Sequence, residues 1–355
     1  MEEWAPTSAA ESWDNVGLLV GNPEAEAKRV LLAIDFTRAV ANEAFAASTN
    51  LVISYHPPIF EGLKRLGPSS DVFRAIEKQV AIYSPHTALD VAEGGTNDVL
   101  ADAVGLVVRG PLRPSATKDA EYKLVTFVPE EQLEKVSNAL FDAGAGRIGR
   151  YSSCSFRTSG RGTFLGGEGT NPTVGQPGRV EQAAEVRLET VVPIDRVGAV
   201  VRALRAVHPY EEPAFDLVRL AAAPEGAGMG RVGDLASPVP RAAIVERVKR
   251  ELGLATVLVA GPLEGEAKRV AVCAGACGDL YKDALRARAD VYLTGEMRHH
   301  DALAAAARGM LVIAALHSNS ERKTLARVRE RLMAKLGSEV EVTLSAADRD
   351  PFAFA

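Results

Sequence analysis

An internal repeat near the middle of the chain constrains its fold more than any other sequence feature. The segment LVTFVPEEQLEKVSNALFDAGA, which begins at Leu124, recurs 64 positions later as LETVVPIDRVGAVVRALRAVHP. Each copy predicts a strand, a proline at the helix start and an apolar stripe at i, i+4, i+7 and i+11. Two strand–helix halves, each followed by another extended segment, give the βαββαβ order of a ferredoxin-like α+β unit.

The segment between the two halves, residues 159–179, is dense in glycine and proline. This composition predicts a long exposed loop. A phosphate-cradling loop is the alternative, but no GK[ST] sequence follows the glycines, so the motif is incomplete.

Short apolar runs alternate with helical patterns on both sides of the repeat. Predicted strands lie at 30–34, 51–54, 80–84, 269–274, 290–294 and 311–316, and predicted helices at 39–47, 73–78, 96–104, 244–252, 280–288, 300–308 and 321–336. Continuous apolar strands between helices are typical of an α/β sheet covered on both faces. We therefore predict a discontinuous α/β domain, residues 1–119 and 223–355, interrupted by a ferredoxin-like α+β domain at residues 120–222.

Charge and cysteine content exclude several classes of protein. A net charge of −5 indicates neither the basic surface of a nucleic-acid-binding protein nor the polybasic segment of a membrane-binding one. The acidic N-terminus lacks the order of a signal peptide, and no apolar run reaches the length of a membrane span. The three cysteines, Cys154, Cys273 and Cys277, do not form a disulfide framework, which favours a reducing, cytoplasmic location.

Cys273 and Cys277 are spaced C-x3-C without a second pair of cysteines. A structural zinc site is therefore weakly supported. The simpler interpretation is that Cys273 is a buried strand residue, since a free cysteine packs as a small apolar side chain.

Potential metal ligands follow four of the predicted strands. These residues are His56; His86 and Asp90; Glu296, His299 and His300; and His317 and Glu321. Ligands of open α/β sheets bind beyond the carboxyl ends of the strands. Because five of the six histidines of the chain lie at these strand ends, the sequence predicts a single site there.

Imidazole and carboxylate side chains together suit Zn, Fe, Mn or Co better than Ca or Mg. We predict that His56, Asp90, His317 and Glu321 bind a divalent metal. The sequence leaves the number of bound ions open, one or two, because a carboxylate can bridge two ions in a hydrolase. His86, Glu296 and His300 are candidates for proton transfer or for orienting ligands.

Each of these residues also has a structural explanation. His56 could cap a strand, His86 could be a loop residue, and Asp90 could bond backbone amides of a turn. Ser318 and Glu321 have the spacing of a capping box, in which Glu321 would bond the amide of Ser318. A bidentate carboxylate could serve as both cap and ligand.

The remaining histidines give weaker predictions. His299 and His300 are adjacent and would point apart on a helix, so at most one is expected to face the site. His208, in the repeat, is predicted to have a surface role.

The motifs ESWDNVGL, SYHPPIF, SPHTALD, TGEMRHHDAL and LHSNSE follow one another in this order along the chain. In this respect the chain resembles the Nif-three-like dinuclear metal-centre family, whose members are often called GTP cyclohydrolase I type 2 homologues. The repeat, with HPYEEPAFD, resembles the PII- or CutA-like domain inserted in the longer, YqfO-like bacterial members. The resemblance spans nearly the whole chain.

The resemblance implies a toroidal homohexamer and a metal-dependent hydrolase whose substrate is GTP, another nucleotide or a phosphoester. It assigns the ligands to His56, Asp90, His317 and Glu321. Tyr55 stands where the family has the first histidine of a His-His pair, which implies one tight ion and a weak or absent second one. A non-catalytic metal-binding or regulatory protein, sensing a small molecule or a partner through the inserted domain, is the alternative.

Overall fold

A computed structural model describes residues 1–115, 121–220 and 227–353. Its strands are β1 (Gly17–Val20), β2 (Arg29–Ala33), β3 (Leu51–Ser54), β4 (Ala81–Ser84), β5 (Leu106–Pro114), β6 (Glu121–Val128), β7 (Ser155–Leu165), β8 (Val180–Pro193), β9 (Phe215–Arg219), β10 (Gly228–Pro240), β11 (Leu258–Ala260), β12 (Glu266–Ala276), β13 (Val291–Glu296), β14 (Leu311–Ala314) and β15 (Glu341–Leu344). Its α-helices are α1 (Arg38–Ala46), α2 (Asp71–Glu77), α3 (His86–Val91), α4 (Thr96–Val104), α5 (Leu133–Asp142), α6 (Val197–Val207), α7 (Arg241–Leu252), α8 (Tyr281–Arg286), α9 (His299–Ala306) and α10 (His317–Leu336).

The chain folds into two compact units. The terminal unit comprises Met1–Ser115 and Pro224–Ala355, and the inserted unit comprises Ala116–Ala223. The predicted domain boundaries at 119/120 and 222/223 lie outside the described residues, so these boundaries stay predictions. Among the described residues, no helix is long and apolar enough to cross a membrane.

The terminal unit contains two mixed sheets rather than one. Their strand orders are β1-β4-β3-β2-β15 and β11-β14-β13-β12-β10-β5. β15, from the C-terminal segment, pairs parallel with β2, whereas β5, from the N-terminal segment, pairs antiparallel with β10. The C-terminal segment therefore completes the sheet of the N-terminal segment, and the N-terminal segment completes the other sheet. The alternation of strands and helices in the sequence did not predict this exchange.

The central strands are apolar on both faces, as predicted. In β2, Val30 and Leu32 belong to one buried cluster, whereas Leu31 and Ala33 belong to another. Since successive side chains of a strand point to opposite faces, this alternation means that both faces of the sheet are covered. The predicted α/β class of this unit is thereby confirmed.

The inserted unit has the predicted βαββαβ order. Its sheet has the strand order β7-β8-β6-β9, and every pairing in it is antiparallel. Pro129 and Pro193, equivalent in the repeat, each precede a short 3-10 turn that leads into a helix. The equivalent residues Leu140 and Leu204 are fully buried in its core, which confirms that the two halves pack alike.

The predicted Gly- and Pro-rich loop is wrong in part. Residues 159–165, assigned to a Gly- and Pro-rich loop, continue the edge strand β7, whose residues are mostly exposed. His86 and Asp90, for which a loop or a turn was the alternative to a role in the site, lie on a short helix, α3. The predicted surface role of His208 is also wrong, because its ring is buried and both ring nitrogens bond backbone groups, the carbonyl of Phe127 and the amide of Tyr210.

Candidate metal centre

Three predicted ligands, His56, His317 and Glu321, come together in the terminal unit. His56 follows β3, and His317 begins α10, so that Glu321 lies one turn later on the same face of the helix. His56 Nε2 is 3.2 Å from Glu321 Oε2, and His317 Nε2 is 3.4 Å from Glu321 Oε1. One ligand atom of each residue lies within 4.8 Å of the others. We call these three residues the triad.

The triad satisfies a test of fit for a metal ion. His56 Nε2 and Glu321 Oε2 are buried atoms without a hydrogen-bond partner among the described residues. Buried polar atoms are normally partnered, because leaving one unsatisfied costs about 1–3 kcal/mol. A divalent ion between them would satisfy both atoms, and two imidazoles with a carboxylate form a donor set that such ions favour.

Carboxylates lie behind both imidazoles of the triad. His56 Nδ1 is 2.9 Å from Asp35 Oδ1, and His317 Nδ1 is 3.5 Å from Glu296 Oε1. A histidine that binds metal through one nitrogen usually donates its other N–H to such a group, which fixes the tautomer and the ring orientation. In both histidines, Nε2 therefore faces Glu321.

The surroundings of the triad favour positive charge. Burial alone would lower the pKa of His56, but the hydrogen bond with Asp35 and the negative charge of Glu321 outweigh it and raise this pKa to about 10. The same hydrogen bond lowers the pKa of Asp35 below its ordinary value, despite partial burial. Asp35 and Glu321 thus favour a positive charge on the His56 imidazole.

Asp90, the fourth predicted ligand, does not belong to the triad. Its buried carboxylate accepts a hydrogen bond from the hydroxyl of Tyr55, which lies 3.1 Å from Thr96 Oγ1 as well. Burial and the nearby charge of Glu321 raise the pKa of Asp90 to about 6. Burial also raises the pKa of Tyr55 well above its ordinary value, so the phenol stays neutral. A ligand role for Asp90 stays a prediction.

The capping box predicted for Glu321 does not form. α10 begins at His317, with Leu316 as its N-cap, and no side chain of the described residues caps it. Ser318 Oγ donates instead to Asp350 Oδ2 at 2.7 Å. The helix starts two residues earlier than the capping box requires, and the carboxylate of Glu321 points to the histidines.

Comparison with known proteins identifies the family. The model of Duf34/NIF3 (NGG1p interacting factor 3) matches residues 1–351. This chain belongs to the Duf34/NIF3 family. A relative from Halalkalibacterium halodurans, named GTP cyclohydrolase 1 type 2 homolog, is 38% identical over 360 residues, which cover 99% of this chain and 96% of the relative.

Solved structures agree with this assignment. The Bacillus cereus protein related to NIF3 is 35% identical, with a TM-score of 0.65 over 100% of this chain and 96% of its own. A Staphylococcus aureus protein is 27% identical, with a TM-score of 0.72 over the same shares. The family predicted from the motifs is therefore confirmed.

In this NIF3-family chain, His86 lies beside the triad without joining it. Its ring centroid is 5.3 Å from that of His56, and its Nδ1 is 2.8 Å from Asp14 Oδ1. Burial would raise the pKa of Asp14, but the hydrogen bonds with His86 and Thr87 lower it below the ordinary value. His86 has a φ of +24°, an unusual backbone angle for a residue other than glycine.

Of the other two predicted catalytic residues, one contacts the triad and the other does not. Glu296 contacts His317, as described above, whereas His300 lies at the exposed start of α9. His299 and His300 were expected to point apart, which is wrong, since their ring centroids are only 5.3 Å from each other. Within the described residues, no hydrogen bond or ion pair joins His300 to the triad.

The end of β12, after Cys273, passes directly over the triad. Cys273 is buried, as predicted, but it forms a disulfide with Cys277, so the expectation of a free thiol is wrong. Between them, Gly275 has a φ of +69°, and its amide donates to Ser320 Oγ at 2.8 Å. A Cβ atom at Gly275 would lie 2.6 Å from Glu321 Oε1, so only glycine fits there.

Sequence reasoning missed three residues of this site. Asp35 follows β2 and would have been found by the same inspection of strand ends that found His56. Asp14 lies in the ESWDNVGL motif, which was quoted only for the resemblance. Gly275 gave no signal, because its importance depends on α10 lying against it.

Proposed function

We propose that this chain binds a divalent metal ion through His56, His317 and Glu321 and hydrolyses a nucleotide or a phosphoester. The observation that carries the proposal is the pair of buried, unpartnered atoms, His56 Nε2 and Glu321 Oε2, which face each other. The GTP cyclohydrolase name of the relatives supports a nucleotide as the substrate class.

The proposed chemistry divides between the ion and the chain. When bound, a divalent ion acidifies water and polarises the bond under attack. Asp35 bonds His56 Nδ1, and Glu296 lies 3.5 Å from His317 Nδ1, so both imidazoles would present Nε2 to an ion. Three protein ligands would leave room for water and substrate. His86 is held by Asp14 through Nδ1, which leaves Nε2 free to transfer a proton at the edge of the site.

One tightly held ion is the stoichiometry we propose for the wild-type chain. A second ion would need Asp90 together with Glu321, and Tyr55 supplies a neutral phenol where an imidazole would help. Two carboxylates bind Zn or Fe less well than a set that includes imidazole.

Metal analysis and turnover test this function. We expect His317→Ala and Glu321→Ala each to lose most of the bound metal and all metal-dependent hydrolysis across a panel of nucleotides and phosphoesters. His299→Ala removes an exposed histidine outside the triad and serves as the control. Circular dichroism verifies folding. Full metal retention in both triad variants would refute the site, and a metal-loaded protein that hydrolyses nothing would refute the activity.

A non-catalytic sensor remains the second candidate because of one observation in the inserted unit. A cavity of about 600 Å³ lies there, lined by residues that include Phe127, Phe164, Glu185, Arg187 and Tyr210. This volume suits a small molecule. A metal-loaded chain that lacks turnover but binds a metabolite in this unit would favour the sensor.

A further inference from the structure

Two large aromatic side chains, Trp13 and Phe60, lie exposed beside the triad. Trp13 is 58% exposed and Phe60 is 52% exposed. Their ring centroids are 6.0 Å apart, and the rings are tilted by 50°. Together they present a patch of aromatic surface to solvent. Burial stabilises apolar side chains, and these two gain little of that stabilisation.

The backbone beneath this pair is anchored. Asp14, which follows Trp13, accepts hydrogen bonds from the amide of Thr87 at 3.1 Å and bonds His86 at 2.8 Å. Asn15 Nδ2 donates to the carbonyl of Ile59, next to Phe60, at 2.6 Å. Since both loops are tied to each other and to α3, the two rings are held in place without being buried.

The aromatic pair lies one side chain away from the triad. The ring of Trp13 is 6.1 Å from that of His86, and His86 is 5.3 Å from His56. A molecule that spans the width of one imidazole could therefore contact both the pair and the triad. This arrangement suits a planar ring joined to the group that reacts.

We infer that Trp13 and Phe60 form a stacking surface for the planar heteroaromatic ring of a substrate, whose attached phosphate extends to the triad. The inference rests on the proposed function and narrows its substrate class to nucleoside phosphates. Aromatic rings stack offset or edge to face at centroid distances of about 4.5–7 Å, so a nucleobase can contact Trp13 as Phe60 does. Every nucleobase has a π-face, and we expect the surface to accept purines and pyrimidines alike.

Binding by the metal-loaded chain tests the inference. The chain has two tryptophans, so a Trp4→Phe background leaves Trp13 as the only tryptophan reporter. We expect GTP and CTP to quench its fluorescence and to bind more tightly than tripolyphosphate, which has no ring. Calorimetry of the zinc-loaded protein measures the three affinities.

Substitution of the two rings completes the test. Trp13→Leu and Phe60→Leu should weaken nucleotide binding about 5- to 100-fold while leaving tripolyphosphate affinity and metal content unchanged. Phe156→Leu, the same change at an exposed site of the inserted unit, should leave all three quantities unchanged.

Several outcomes would overturn the stacking surface. Equal affinities of the wild type for GTP and tripolyphosphate would do so, as would unchanged GTP affinity in Trp13→Leu. A change of oligomeric state in Trp13→Leu, without loss of nucleotide affinity, would assign the pair to an interface between copies. Hydrolysis of tripolyphosphate in that variant would leave the proposed function standing, whereas nucleotide stacking without any hydrolysis would refute that function alone.

Discussion

The hydroxyl of Tyr55 donates a hydrogen bond to the carboxylate of Asp90 in the interior of the terminal unit. Tyr55 is fully buried and Asp90 nearly so, and Thr96 completes the group. This relationship gives Tyr55 a structural role at the position where the family resemblance predicts a histidine ligand. It also occupies the carboxylate that a second ion would require.

Replacement of Tyr55 tests whether this bond limits metal binding to one ion. We expect Tyr55→His to raise the metal content towards two ions per chain, because an imidazole would join Asp90 and Glu321. The variant should lose about 1–3 kcal/mol of unfolding free energy in the metal-free state, since a buried hydrogen-bonded hydroxyl is removed. Calorimetric metal titration and urea unfolding measure the two effects.

Tyr55→Phe is the matched control, because it removes the hydroxyl without adding a ligand. It should be destabilised to a similar extent and should still bind one tight ion. Two equally tight ions in the wild type would show that Tyr55 does not limit the second site.

The carboxylate of Glu321 allows a second test, since none of the side chains that the structure describes caps α10. We expect Glu321→Gln to lose most of the bound metal while keeping its helix content, because glutamine preserves the shape of the side chain but not its charge. Glu330→Gln, an exposed position on the same helix, should keep both. Metal affinity equal to wild type in Glu321→Gln would mean that the negative charge is unnecessary.

The sequence predicted the triad because its residues follow local patterns. His56 and His317 each come after an apolar run of strand length, and the i, i+4 spacing of His317 and Glu321 places both on one face of a helix. The predicted strands and helices were mostly right for the same reason, with ends displaced by a few residues. β2, for example, ends at Ala33 rather than at residue 34.

Contacts between distant segments could not be predicted in this way. Tyr55 and Asp90 are 35 residues apart, and nothing in the sequence indicates that the phenol would bond that carboxylate. The division of the terminal unit into two sheets depends on β5 pairing with β10, two strands separated by the whole inserted unit. The Cys273–Cys277 disulfide was missed because a residue buried in a strand is expected to pack as an unpaired thiol.

The inserted unit should be removable. Ser115 and Ala227 flank it, and the amide of Ser115 donates to the carbonyl of Ala227 at 3.3 Å. A short Gly/Ser linker in place of residues 116–226 can therefore join the two ends without displacing β5 or β10. We expect a folded chain with unchanged metal content, measured by circular dichroism and mass spectrometry. A soluble, folded product without metal would show that the inserted unit contributes to the site.

Burial of His208 predicts a pH dependence in the inserted unit. Burial lowers the pKa of this histidine below the ordinary 6.5, although the carbonyl of Phe127 partly opposes the shift. The unfolded chain then takes up a proton before the folded chain does. Stability is therefore fully present above pH 6.5 and is lost as the pH falls through the folded-state pKa.

Thermal unfolding across this pH range checks the sign of the effect. His208→Gln cannot take up the proton, so its stability should fall less than that of wild type as the solution is acidified below pH 6.5. The variant should be less stable than wild type at neutral pH, because glutamine cannot replace both ring hydrogen bonds, to Phe127 and Tyr210. Parallel pH profiles of the two proteins would show that His208 does not cause the dependence.

Gly275 and Gly278 provide a matched pair for testing how closely the backbone must approach the triad. Both have positive φ angles, +69° and +52°, so an alanine at either position costs about 1–2 kcal/mol in backbone strain. At Gly275 the added Cβ would also lie 2.6 Å from Glu321 Oε1 and 3.3 Å from His317 Nε2, whereas at Gly278 nothing in the described part of the chain lies within 4 Å of it. We expect Gly275→Ala to lose metal affinity at least ten-fold because both ligands must move, and Gly278→Ala to keep wild-type affinity despite a similar loss of stability. Competition with a chelator measures affinity, and urea unfolding of the metal-free proteins measures the strain. Equal metal affinities in the two variants would show that the end of β12 over the triad yields and that Gly275 serves only the local backbone conformation.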